Sequence, residues 1–176
     1  MDKVLNLSAF GDIIENPYKQ EGGENDVTFH SFMKNKPASQ ETSTDSIDSV
    51  NCVTREALCH SAQIKLLHWQ THSFAEHKAL DKLFGGFLNL TDELVESVMG
   101  KYGRPVLDKE MATFTVVNYA NPESPDGLKI YMGKLKECYS VKCKSVFTSE
   151  KDPEILNIID EIIALIDKTT YLLTLK

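Results

Sequence analysis

From about residue 51 onward, apolar positions recur every three or four residues, the period of a helix with one buried face. A first helix is predicted over residues 54–71. Ser73-Phe74-Ala75-Glu76 then forms a capping box in which Glu76 reaches back to the cap, so a second helix starts at Phe74 and runs until Gly103 and Pro105 end it. A loop with room for a short helix extends through Asn121. Ser124-Pro125-Asp126 reads as a cap with proline at the first helical position, opening a third helix to about Phe147. Asp152-Pro153-Glu154 opens a fourth in the same way, with Ile155, Ile158, Ile159, Ile162, Ile163 and Ile166 on one stripe. Four such helices and few strand candidates predict an all-α chain built as a four-helix bundle.

The second helix carries two distinct stripes when residues are placed at about 100° intervals. Leu80, Phe84, Phe87, Leu94 and Val98 share one, predicted to face the bundle core. His77, Asp81, Asp92 and Glu96 share the other, together with Leu88, Val95 and Met99. An apolar and acidic stripe off the core axis predicts burial against something outside the chain's own bundle. Along a straight helix His77 and Asp92 stand about 22 Å apart, so one chain cannot bring both to one metal whose ligand bonds are about 2 Å long. An identical helix packed antiparallel across a two-fold axis would bring His77 and Asp81 of each chain to Asp92 and Glu96 of the other. The axis would cross near Gly85 and Gly86, where close approach of two backbones would explain glycines that cost a helix interior about 1 kcal/mol each.

Residues 1–50 differ from the rest: they are rich in Ser, Thr, Asn, Asp, Glu and Gly and lack a sustained helical period, which reads as a tail. Four lysines there face nine acids, a net charge of -5 within the whole chain's -7. That balance argues against duplex DNA as a partner. Two short apolar clusters, Val4-Leu5 with Leu7 and residues 29–33, offer docking points for a protein partner; a mobile solubilising arm is the alternative. No apolar run is long enough to span a bilayer, and the N-terminus lacks the basic-then-apolar pattern of a signal peptide. Cys52, Cys59, Cys138 and Cys143 fit neither a CxxC pair nor a disulfide framework and suit reduced thiols in a cytoplasmic setting. The usual zinc-ligand spacing is absent.

Carboxylates with imidazoles suit iron better than metals that prefer soft ligands. His68-Trp69, then Phe74, His77, Leu80-Asp81, Asp92-Glu93-x-x-Glu96 and Gly103-Arg104-Pro105 resemble the Dps miniferritins, specifically over residues 60–107 and in architecture alone over the last two helices. The resemblance implies a ferritin-like four-helix bundle assembled as a hollow dodecamer. It also implies a ferroxidase site of His68, His77 and Asp81 from one subunit with Asp92 and Glu96 from its two-fold neighbour, where ferrous iron is oxidised by peroxide or oxygen and stored inside. Trp69 would sit beside that site and intercept oxidising species. The interval between His68 and His77 is shorter than is usual in that family, which makes His72 a substitute for His68. No histidine follows His77, so the Glu-x-x-His pairs of a di-iron centre inside one bundle cannot form on the later helices, leaving the site between subunits. The rival expectation is a structural or interaction protein that keeps the bundle without turnover, as a particle component or adaptor. DNA protection, familiar in the family, fits the acidic tail least.

Overall fold

A computed structural model describes residues 44–119 and 126–175, with side chains from Val50 onward. The chain divides between Lys36 and Pro37. Most of the acidic segment, its two apolar clusters and the Ser124-Pro125 cap lie outside the described residues. Among the described residues four α-helices follow one another: α1 Thr44–Gln70, α2 Phe74–Tyr102, α3 Gly127–Glu137 and α4 Pro153–Leu172. No strand occurs among the described residues, so they are all-α. None of the described helices is long and apolar enough to cross a membrane.

Helix α1 begins ten residues before its expected start, inside the stretch read as tail. Its buried side chains Val50, Val53, Ala57, Ile64 and Leu67 keep the 3–4 period back to residue 50, which makes the earlier start intelligible. The turn into α2 is short, so the two helices run antiparallel. Ser73 caps α2 by accepting from the Glu76 amide at 3.3 Å. The reciprocal half of the expected box is replaced, because the Glu76 carboxylate accepts from the Thr71 hydroxyl, which itself accepts from the Ser73 amide. Gly103 ends α2 at φ +93°, a conformation a side chain would strain.

The connection from α2 to α3 runs back along α1. Val106 donates to buried Asn51 at 2.7 Å, and Gln63 exchanges two hydrogen bonds with the Val117 backbone at 2.6 and 2.7 Å. The connection therefore climbs from the start of α1 to its middle. There His60 meets Tyr131, while Glu56, nearer the start, meets Cys138. Helix α3 consequently descends parallel to α2. It does not stay α-helical to its end: Cys138–Cys143 is a π-helical turn, followed by a 3₁₀ turn at Lys144–Val146. The wider i→i+5 turn stacks residue 143 over residue 138, and Cys138, Tyr139 and Cys143 are all buried.

One core joins the four helices. From α2 it takes Leu80, Leu83, Phe87, Leu94 and Val98; Phe84, expected inside, is only partly buried. From α4 it takes Ile155, Ile158, Ile159, Ile162 and Ile166, each worth about 1.5–3 kcal/mol against exposure, while Ile163 lies at its edge. Asp152, ahead of Pro153, locks the far end. It is 2% exposed and accepts from the Tyr102 hydroxyl, from Thr148 N at 3.1 Å and from Lys101 Nζ at 3.0 Å. Burial works to raise this carboxyl, but Tyr102, Lys101 and the Thr148 amide outweigh it and hold it below the usual aspartate value. Its contribution is therefore complete above about pH 4 and is lost as pH falls through the depressed native value. Acid unfolding curves should show the wild-type chain losing stability below about pH 4 more steeply than Asp152→Asn. Equal acid sensitivity of the two would remove this carboxylate from the explanation.

Candidate functional site

His68 and His77 stand on either side of the short α1–α2 turn, and folding brings them together. Their rings stack at 4.1 Å between centroids. His68 lies on the buried face of α1, one turn beyond Ile64, and is 7% exposed. Its Nε2 is 3.9 Å from Asp81 Oδ1, and its Nδ1 is a buried nitrogen without a partner. His77 Nδ1 lies 3.1 Å from the His68 carbonyl, so a proton on Nδ1 donates there and leaves Nε2 free to accept or ligate. Asp81 is more than half exposed. Two donors with bonds of about 2.0–2.2 Å can be at most about 4.3 Å apart around one ion, so His68 and Asp81 fit that limit. His72 is exposed in the turn. The trimmed loop does not displace His68; a three-residue turn suffices to stack it on His77. Trp69 is 70% exposed beside the pair, and Lys65 Nζ lies 5.5 Å from its ring centroid.

Asp92 and Glu96 do not join this cluster. Both are exposed on α2, with Asp92 about three helical turns beyond Asp81 and about four beyond His77, on the stripe that also exposes Leu88 at 41%. The glycines divide into two roles. A Cβ on Gly86 would meet the Leu165 side chain at 2.9 Å, so Gly86 admits α4 of the same chain and does not need a second subunit. Gly85 is exposed, with nothing within 4 Å of a Cβ placed there. The shared explanation expected for both glycines therefore survives for Gly85 alone.

A second cluster was missed by sequence reasoning. Glu56 and His60, one helical turn apart on α1, face Cys138 at the start of the π turn. Donor atoms of the three all lie within 4.8 Å of one another, the one such group of three among the described residues. His60 Nε2 is 3.5 Å from Glu56 Oε2, and the Cys138 thiol donates to the same oxygen at 3.5 Å. The other imidazole nitrogen, Nδ1, is 3.2 Å from the Tyr131 hydroxyl. Burial opposes charge on His60, but Cys138 and Glu56 outweigh it and push the imidazole up to about 9. Burial likewise works to raise Glu56, and His60 and Arg55 hold it below its ordinary value. The hydrogen bond with Cys143, together with burial, drives the Cys138 thiol well above the ordinary range. All four cysteines are free. The chain beyond α3 contributes a thiol, not a histidine, to this group, which is of a different kind from the Glu-x-x-His pairs that the later helices lack.

Comparison with known proteins adds a family without a described activity. A family model described as a family of unknown function (DUF5856) matches residues 68–173. An uncharacterized 14.6 kDa protein in the mobD-ri intergenic region of Enterobacteria phage T4 is 28% identical over 123 residues, covering 69% of this chain and 80% of that protein. No solved structure matches.

Proposed function

We propose that this chain, which belongs to the family of unknown function DUF5856, is a Dps-like iron-binding protein of ferritin-like fold. In this reading it takes up ferrous iron at a seam between two copies of itself and oxidises it there. The observation that carries the reading is the stacked His68–His77 pair with Asp81 beside it, on the same helix as exposed Asp92 and Glu96. The fold supports it: a single long crossover between α2 and α3, which makes those helices parallel, is the connection that distinguishes ferritin-like bundles from up-and-down ones. So does the surface, since Trp69 at 70% and Phe74 at 76% exposure flank the histidines and Leu88 lies between the two halves of the site. Large apolar side chains so placed suit an interface between copies.

In this reading His68, His77 and Asp81 hold iron with Asp92 and Glu96 of the partner subunit. Two ferrous ions each give one electron to hydrogen peroxide; its O–O bond breaks, and with two protons the oxygens leave as two waters. The ferric product passes to the interior of the assembly. Ferrous titration of the full chain, with assembly mass measured in parallel, tests the proposal. Saturable binding to an oligomer is expected, and Gly85→Gln, which places a long side chain on the seam from a position where a Cβ meets nothing within 4 Å in its own chain, is expected to reduce both assembly and binding. A monomer that binds no ferrous ion would leave the chain as an interaction protein without turnover.

A further inference from the structure

We infer that Glu56, His60 and Cys138 form a second metal site, inside a single chain, for one divalent ion of the zinc class. The geometry comes first. Zinc bonds of about 2.0–2.3 Å at tetrahedral angles set the edges between donors at about 3.3–3.8 Å. The two measured edges that meet at Glu56 Oε2, to His60 Nε2 and to Cys138 Sγ, are both 3.5 Å. Both edges fall in that range, and the three donor atoms all lie within 4.8 Å of one another.

The donor chemistry selects the ion. A thiolate with one imidazole and one carboxylate is a mixed set of borderline softness, suited to zinc and poorly suited to magnesium or calcium, which take oxygen ligands. The orientation of His60 is also that of a ligand. Its Nε2 faces Glu56, while Nδ1 meets the Tyr131 hydroxyl, and that hydroxyl lies 3.5 Å from the His60 carbonyl. An imidazole held through its second nitrogen in this way is the usual arrangement around a metal-bound histidine.

Two further features point to the same place. The π turn that begins at Cys138 is a departure from α-helical geometry of a kind that concentrates at functional sites. Within it, the Tyr139 hydroxyl is buried without a partner, and its ring centroid is 6.2 Å from that of His60. A buried hydroxyl in that condition is rare, and water on the fourth corner of the ion is a group that would satisfy it.

The site is independent of the seam between subunits, and its test is chosen to separate the two. In the reduced full-length Asp92→Ala/Glu96→Ala chain, one equivalent of Co²⁺ should produce a thiolate-to-cobalt charge-transfer band and the intense visible bands of tetrahedral cobalt. Zn²⁺ should abolish both by displacement. Cys138→Ser should remove the charge-transfer band and Cys59→Ser should keep it; Tyr131→Phe should weaken binding about 10–100-fold. Zinc-edge X-ray absorption of the same chain with native Cys138 should find one sulfur at about 2.3 Å among nitrogen and oxygen neighbours, a measurement that does not depend on how the Cys138 variant folds. A folded chain that gives no charge-transfer band with excess Co²⁺, a band that survives Cys138→Ser, or a zinc shell without sulfur would each overturn the assignment.

Discussion

Mixed in equal amounts under conditions that exchange subunits, His77→Ala/Asp81→Ala and Asp92→Ala/Glu96→Ala chains are expected to recover about a quarter of the wild-type ferrous oxidation that neither shows alone. The fraction follows from two-fold symmetry. Random pairing makes about half of the dimers mixed, and each mixed dimer has one site with every ligand intact and one in which all four altered positions are alanine. Along α2, His77 and Asp92 stand about 22 Å apart, and Asp92 and Glu96 are exposed and belong to no group of three possible metal ligands among the described residues. A site within one chain would instead show full activity in one parent. Mixed dimers confirmed by mass but without activity would end the seam reading, whatever becomes of the interior site.

Phe87→Ala is expected to remove about 3–5 kcal/mol of stability and to lower the urea midpoint by roughly 2 M. Phe87 is fully buried on α2 and meets Tyr139 of the π turn edge to face, with ring centroids 5.6 Å apart. Truncation opens a cavity at the centre of the core, between helices that cannot close over it without moving the π turn. Leu88→Ala, next in sequence but 41% exposed, is expected to change the stability of the isolated chain by no more than about 0.5 kcal/mol. Equal losses for the two, measured as urea midpoints at matched protein concentration, would contradict the assignment of the two faces of α2.

The helices themselves were legible in the sequence because their signals are local. Ser73, Gly103 and Pro153 mark boundaries that the structure keeps, and the isoleucines of α4 face inward with the exception of Ile163 at the edge. The early start of α1 was obscured by the polar composition around Thr44. The π turn had no signal, since cysteine, tyrosine and valine also suit an α-helix. The stacking of His68 on His77 was legible in part, because nine residues with a capped turn between them leave little freedom. Glu56 and His60 could have been noticed as a pair one turn apart, but a carboxylate and a histidine at that spacing also form ordinary surface pairs.

The sequence by itself determined four helices, the stripe that carries His77, Asp81, Asp92 and Glu96, and the impossibility of one metal joining both ends of that stripe. These follow from the helical repeat and rise, which act within one element. Only the tertiary structure decided that Gly86 belongs to the packing of α4, that Gly85 alone remains for another surface, and that Cys138 reaches Glu56 and His60. Those outcomes depend on how α3 returns along α1 after the crossover and on one widened turn within it. Such contacts join residues far apart in the chain, and no local periodicity encodes where they meet.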